Sequence, residues 1–221
     1  MSRGDTAMQY YRIPYEETKE FSQKVFVAYG FTEKESAQIT DVLLEADLCG
    51  IESHGIQRLI RYHQEITSGF VKINAEPVVV KETALSATIE GNDAMGQTLS
   101  VKAMELAIEK AKKYGMGMVV VRNSTHYGIA GYYTTMATKA GCIGMTGTNA
   151  RPTVAPTYGV EGMFGTNPLT LGVPTDEPFD FNFDGATSTY QNGKLEYYAR
   201  IGKDAPTGAL VGLDGKAHED T

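Results

Sequence analysis

The 221-residue sequence is short of several residue types, and each shortage excludes something. Two cysteines, Cys49 and Cys142, cannot build a disulfide framework, so we expect reduced thiols in a cytoplasmic protein. Lysine and arginine number 20 against 27 acidic residues, a balance that disfavours nucleic acid and anionic membranes as partners. No apolar run is long enough to span a bilayer, and the first residues lack the apolar core of a signal peptide.

Familiar catalytic and nucleotide-binding motifs are missing as well. Gly115 and Gly117 resemble the start of a GxGxxG fingerprint, but they precede a predicted strand instead of following one. The sequence contains no Walker A loop, HExxH, CxxC or GxSxG motif. Its four histidines are poorly spaced for a preformed metal site on one element, so we predict no metal.

The first 75 residues are expected to form a helical domain. A first helix should bury a stripe of Phe21, Val25 and Val27. Thr32 and Glu35 then have the spacing of a capping box, which predicts the start of a second helix. The apolar face of that second helix consists of Ile39, Val42, Leu43 and Ala46.

A third helix is predicted from an N-cap at Ser53 to a stop at Gly69. Its buried stripe would be Ile56, Leu59, Ile60 and His63. A different face would carry His54, Arg58 and Tyr62 at steps of four, if helical geometry reaches back to His54. Such a face is either a binding site or simply the solvated side of an amphipathic helix.

The rest of the chain is expected to be an α/β domain over residues 76–190, then a hairpin at "NGKLEYYAR" and a polar tail over residues 191–221. The fold class is therefore α/β, with an N-terminal helical segment and a mixed sheet. A strand at "MVVV", a helix over 129–140 and a strand at "CIGMTG" follow one another. This order predicts a parallel strand pair with a right-handed crossover.

Polar loops follow both strands of that predicted pair. His126 lies on the first loop, and Asn149 and Arg151 lie on the second. Ligands in open α/β sheets bind beyond such strand ends, and histidine titrates near neutral pH. Arg58 could bind a carboxylate through two parallel hydrogen bonds, with other donors of its helix beside it. The combination fits 2-hydroxy or 2-oxo acid chemistry, although a loop histidine is also commonly just solvated.

Four segments in the same order resemble the malate/L-lactate dehydrogenase family: "ESHGIQRLIRYH", "VVVRNSTHYGIAGYY", "GMFGTNPLTLGVP" and "FDFNFDGATS". The resemblance implies a nicotinamide-binding fold of non-Rossmann type, a homodimer, and NAD or NADP as cofactor. It implies hydride transfer with a small 2-hydroxy acid, malate being the first guess. Alternatives are a cyclic imino acid or diketo-sugar reductase of the same family, or a truncated chain that only binds a ligand or partner. Family chains continue further, so roughly the last third is expected to be missing.

The resemblance also implies roles for individual residues. His126 corresponds to the catalytic histidine, and His54 to a second histidine that acts as proton donor in some members. Arg58 corresponds to the arginine that binds the substrate carboxylate, with Tyr62 nearby, and we add Asn149 to the substrate side. The cofactor-binding segments would supply Gly165, Thr166, Asn167, Pro168, Asp184, Ala186, Thr187 and Ser188.

Overall fold

The computed structural model describes residues 12–219, which form six helices and eight short strands. The helices are α1 (Tyr15–Tyr29), α2 (Glu33–Leu48), α3 (Leu59–Thr67), α4 (Gly96–Tyr114), α5 (Gly131–Lys139) and α6 (Asn192–Arg200). The strands are β1 (Val78–Glu82), β2 (Ser86–Glu90), β3 (Met118–Arg122), β4 (Gly144–Gly147), β5 (Leu169–Val173), β6 (Phe181–Gly185), β7 (Leu210–Val211) and β8 (Ala217–His218). The structure is thus mixed α/β, as the sequence predicts.

The first helix exists, but its predicted buried stripe is wrong. Phe21 is 60% exposed and Val27 is 44% exposed, whereas Phe26 is fully buried. The inward face of α1 is the one that carries Ser22 and Phe26, one helical turn apart. Phe26 packs edge-on against Phe31, at 6.0 Å between ring centroids. This packing, rather than the number of apolar residues on a stripe, fixes the rotation of α1.

The second helix agrees with the prediction in detail. The Thr32 hydroxyl accepts from the Glu35 amide at 3.2 Å, and the Glu35 carboxylate accepts from the Thr32 amide at 2.9 Å. The predicted apolar face is fully buried. Two members of that face, Ile39 and Leu43, belong to a core cluster that also contains Met95, the N-cap residue of α4. The helical segment and the α/β part therefore share a core.

The predicted third helix is broken near its start. Residues 52–54 and 56–58 form two 3₁₀ turns, and α3 begins only at Leu59. Gly55 is extended between the turns, and the Ile56 amide donates to the Asp47 carboxylate at 2.8 Å. Ser53 makes no capping hydrogen bond at this break, so its predicted N-cap role is wrong.

The predicted apolar stripe of this region is also wrong. Ile60 is 65% exposed and His63 is exposed, whereas Tyr62 and Ile66 are buried. The buried face continues back to Arg58, which is 7% exposed. The polar face turns inward because its groups find hydrogen-bond partners there, and a satisfied polar group can be buried at little cost.

Six of the eight strands form two three-stranded sheets, and the predicted parallel pair is wrong. In the first sheet β2 pairs antiparallel with β1 and parallel with β3, and α4 is the connection between β2 and β3. Strand β4 pairs instead with β5 in an all-antiparallel sheet, and β5 pairs with β6. Helix α5 packs on β4 and β5 at two glycines, since a Cβ on Gly144 would lie 2.7 Å from the Ala137 Cβ and one on Gly172 3.0 Å from the Thr134 Cβ.

The end of the chain differs from the expected hairpin. "NGKLEYYAR" is helix α6, in which the Asn192 side chain donates to Glu196 at 2.6 Å, one turn later. Asparagine followed by glycine therefore begins a helix here instead of a hairpin turn. A two-residue pairing of β7 with β8 lies further along. Among residues 12–219, no helix combines the length and apolar character needed to cross a membrane.

Candidate active site

Three separate elements meet around the imidazole of His126. His126 lies in the loop between β3 and α5, Tyr62 comes from α3, and Gln97 comes from the first turn of α4. The Tyr62 hydroxyl lies 2.8 Å from His126 Nδ1, and the Gln97 side-chain amide donates to that hydroxyl at 2.7 Å. Tyr62 and Gln97 are buried. His126 is therefore held by a buried chain of polar groups, which a solvated loop histidine would not require.

His54 lies directly beside His126. Their rings stack, with centroids 5.6 Å apart and an interplanar angle of 27°. The Ser53 hydroxyl lies 2.8 Å from His54 Nδ1. The two histidines that the sequence places 72 residues apart (126 minus 54) thus share one site, although His54 is on a 3₁₀ turn instead of the predicted helix face.

Burial and nearby arginines keep both imidazoles neutral. Burial, followed by the charges of Arg58 and Arg61, lowers the pKa of His54 from 6.5 to about 4. Burial also holds the pKa of His126 well below 6.5, and Arg61 is the strongest of the charges that act in the same direction. A neutral imidazole has a lone pair that can accept a proton from a hydroxyl group.

Arg58 lies at the buried edge of the same site. Its Nε donates to the Ser53 carbonyl at 2.6 Å, and its Nη1 pairs with the Glu196 carboxylate at 3.1 Å. A Cβ added to Gly193 would lie 2.2 Å from Arg58 Nη2, so the backbone of α6 approaches the guanidinium closely. Sequence reasoning missed Glu196, because a partner 138 residues away gives no local signal.

A cleft of about 410 Å³ opens beside Arg58. Four of its lining residues are arginines and two are glutamates: Arg58, Arg61, Arg151, Arg200, Glu65 and Glu196. The excess of guanidinium groups suits an anionic ligand. Arg151 reaches this cleft from the loop after β4, and its charge also acts on His126 in the loop after β3.

Asn149 is not brought into this arrangement. It is exposed, and it is absent from the residues that line the arginine-rich cleft. Arg61 and Gln97, in contrast, were missed by the sequence reasoning. Arg61 lies three residues after Arg58, a spacing that places neighbouring side chains together on a helix, and this was the available signal.

The segments that the family resemblance assigns to the cofactor lie next to each other. The Thr187 amide and hydroxyl both donate to the Thr166 carbonyl, at 2.9 and 3.2 Å. Asn167, at a φ of 37°, accepts from the Ala150 amide at 2.9 Å. Gly165 packs on the same loop, where a Cβ would lie 2.3 Å from the Ala150 carbonyl oxygen. The two segments are thus fixed against each other although the sequence separates them.

Asp184 has a structural task in this region. One carboxylate oxygen accepts from the Gly131 amide at the start of α5 at 2.6 Å, and the other accepts from the Thr170 hydroxyl at 3.1 Å. Pro168 and Ala186 flank the paired segments, and the Ser188 hydroxyl donates to the Tyr190 carbonyl at 2.8 Å. Within residues 12–219, no group of three or more His, Cys, Asp or Glu is placed to hold a metal ion.

Comparison with known proteins identifies the family of the chain. The family model described as malate/L-lactate dehydrogenase matches residues 13–221, nearly the whole chain. The chain belongs to this family. Its members are NAD(P)-dependent dehydrogenases that act on hydroxy acids.

Several known proteins share a large part of their sequence with this chain. It is 45% identical to a malate dehydrogenase from Pyrococcus horikoshii over 96% of this chain and 59% of that protein. It is 40% identical to a malate/(S)-sulfolactate dehydrogenase from Methanothermus fervidus over 93% of this chain and 60% of that one. The crystal structure of malate dehydrogenase from Entamoeba histolytica superposes with a TM-score of 0.92 at 45% identity, over 96% of this chain and 59% of that chain. The chain thus spans about three fifths of the length of these relatives.

Proposed function

We propose that the protein is an NAD(P)-dependent dehydrogenase that interconverts a small 2-hydroxy acid and the corresponding 2-oxo acid, with L-malate as the first substrate to test. The observation that carries the proposal is the neutral, partly buried imidazole of His126, on which the charges of Arg58 and Arg61, two residues that line the cleft, both act. A neutral base and an anion-binding arginine are the two groups that oxidation of a 2-hydroxy acid requires of the protein.

His126 would accept the proton of the substrate hydroxyl group in oxidation and return it in reduction. Arg58 would bind the carboxylate at C1, which would take the place of the Glu196 carboxylate at this guanidinium. His54 and Tyr62 would position the imidazole of His126 through their stacking and hydrogen-bond contacts. Asn149 would contact the substrate only if its loop closes over the cleft.

The donor set of the paired segments fits a dinucleotide. Thr187 and Ser188 carry hydroxyl groups, and Asn167 carries an amide, which are groups that bind ribose and phosphate oxygens. We assign the eight residues named by the family resemblance to this task, and Asp184 among them contributes by holding the start of α5 in place. These residues would hold NAD(P), whose nicotinamide would supply the hydride-accepting chemistry at C2 of the hydroxy acid.

The arginine-rich cleft favours substrates with two acidic groups. L-malate and L-sulfolactate carry a second anionic group, whereas L-lactate carries a methyl group in its place. Arg61 and Arg151 are in position to bind that second anion. A charge-assisted hydrogen bond contributes about 1.5–3 kcal/mol, so we expect kcat/KM for a dianionic acid to exceed that for L-lactate by about tenfold or more.

The test is the initial rate of NAD⁺ or NADP⁺ reduction with L-malate, L-sulfolactate and L-lactate. Higher kcat/KM with the two dianionic acids supports the proposal. An equal kcat/KM for L-lactate would contradict the proposal that Arg61 and Arg151 bind a second anionic group. Calorimetry with NADH and NADPH separates a third result: absence of both binding and turnover would favour a chain that only binds another ligand or partner.

We also propose that the protein works as a homodimer in the cytoplasm. Its two cysteines are free thiols, which suits a reducing compartment. Large apolar side chains are exposed on both three-stranded sheets, including Met118 and Val120 on one and Phe181 and Phe183 on the other. Light scattering during gel filtration tests the assembly: twice the mass of one chain is expected, and a mass of one chain at micromolar concentration contradicts it.

A further inference from the structure

Gln97 ends a buried hydrogen-bond chain that leads to His126. Its side chain is fully buried, and its Nε2 lies 2.7 Å from the Tyr62 hydroxyl oxygen. That oxygen in turn lies 2.8 Å from His126 Nδ1. The Gln97 Oε1 atom is buried and has no hydrogen-bond partner among residues 12–219. Tyr62 thus has a glutamine amide on one side and the imidazole of His126 on the other.

Proton transfer by His126 sets a requirement on Nδ1. This nitrogen faces Tyr62, so Nε2 is the one left for a substrate. As a base, Nε2 must carry no proton, and the neutral ring then has its proton on Nδ1. As an acid the ring is an imidazolium, and Nδ1 is protonated again. In both active forms Nδ1–H donates to the Tyr62 oxygen, and the hydroxyl proton of Tyr62 needs another acceptor.

Gln97 can supply that acceptor. A glutamine amide has donors at one end and an acceptor at the other, and a half-turn about its last bond exchanges them within the same volume. With Oε1 towards Tyr62, Nδ1–H donates to the tyrosine oxygen and the tyrosine donates to Oε1. With Nε2 towards Tyr62, as in the structure, the tyrosine donates to Nδ1 and the ring proton lies on Nε2. The Gly128 amide, 3.3 Å from Nδ1, also favours this second, inactive form.

We propose that Gln97 is a positioning residue that acts through Tyr62: its Oε1 accepts the tyrosine proton, which holds the ring proton of His126 on Nδ1 and leaves Nε2 free for the substrate hydroxyl. The inference rests on the proposed role of His126. The orientation of the Gln97 amide selects between the active and the inactive tautomer. Because Gln97 and Tyr62 are both buried, bulk water does not substitute for the missing acceptor.

The tautomer can be measured directly by NMR. The full chain is labelled with ¹⁵N in histidine, and His126 is assigned by the loss of its signals in His126→Asn. At pH 7.5 we expect wild-type His126 to carry its proton on Nδ1. Gln97→Met keeps the length of the side chain but has no strong acceptor, so the proton should move to Nε2. Gln97→Glu is the matched control: it keeps an acceptor, and Nδ1 should stay protonated.

Steady-state rates provide the second reading. In Gln97→Met we expect kcat to fall by about 10–100-fold while KM changes by less than about threefold, and Gln97→Glu should recover most of the loss. Tyr62→Phe removes the hydroxyl group and keeps the ring, so it should move the proton to Nε2 even if Gln97→Met does not fold. A proton already on Nε2 in the wild type, or the same tautomer in wild type and Gln97→Met, would overturn the proposal. Because the NMR reading needs no turnover, a protonated Nδ1 without dehydrogenase activity would contradict the proposed function and leave only the effect of Gln97 on the His126 tautomer standing.

Discussion

Replacement of His54 by asparagine should alter the pH dependence of stability by a calculable amount. The pKa of His54 is about 4 in the folded protein against 6.5 for an ordinary histidine. Between these values the unfolded chain binds a proton that the folded protein rejects, so wild-type stability falls as the pH falls. From pH 8 to pH 5 this single group lowers the free energy of unfolding by about 2 kcal/mol, and by about 3 kcal/mol once the pH is below 4.

Urea unfolding of wild type and His54→Asn at several pH values between 8 and 5 tests the calculation. The other titrating groups are common to both proteins, but His54 also lowers the pKa of the stacked His126, so the difference between the two free energies reports the histidine pair, with His54 as its main contribution. Relative to its value at pH 8, that difference should shift by about 2 kcal/mol at pH 5, in favour of the variant. A difference that does not change with pH would mean that His54 is fully solvated, and the description of a partly buried histidine pair would be wrong.

Three further substitutions test other parts of the structure. Arg58→Lys should raise the KM for L-malate by about tenfold or more and change kcat less, because the forked guanidinium is lost, and an unchanged KM would contradict its assignment. Thr32→Ala should lower the free energy of unfolding by about 1 kcal/mol in urea titrations, whereas Thr32→Ser, which keeps the capping hydroxyl, should lower it much less. Gly55→Ala should cost about 1–3 kcal/mol, since its Cβ would lie 1.7 Å from the Asp47 carboxylate, and wild-type stability would refute that contact.

Local signals in the sequence predicted the elements better than their arrangement. The capping box of Thr32 and Glu35 was predictable because both partners of the interaction lie only three residues apart in the sequence. The partner of β4 was not, because strand pairing depends on contacts that arise only after the chain has folded. The apolar pattern predicted the wrong buried face of α3 for the same reason. Tyr62 is buried because Gln97 and His126 provide hydrogen bonds to its hydroxyl group.

The site could be predicted in part. His126, His54, Arg58 and Tyr62 are brought together, and the residues of the two cofactor segments are adjacent, whereas Asn149 stays apart from the cleft. Their roles remain predictions until the variants are measured. The groups that complete the site, such as Gln97 and Glu196, come from helices distant in sequence. No motif spacing predicts these two residues, because the tertiary fold alone brings their polar side-chain atoms to the site.

Turnover by His126→Ala is the most direct test of proton transfer at this site. The measurement is kcat/KM for L-malate with NAD⁺ or NADP⁺. The matched control is His218→Ala, because His218 is an exposed histidine in the β7–β8 pairing. Removal of a general base costs about 10²–10⁴ in rate, so His126→Ala should lose that much while His218→Ala keeps wild-type activity. Wild-type turnover by a folded His126→Ala protein would contradict the assignment of His126 as the group that accepts the substrate proton.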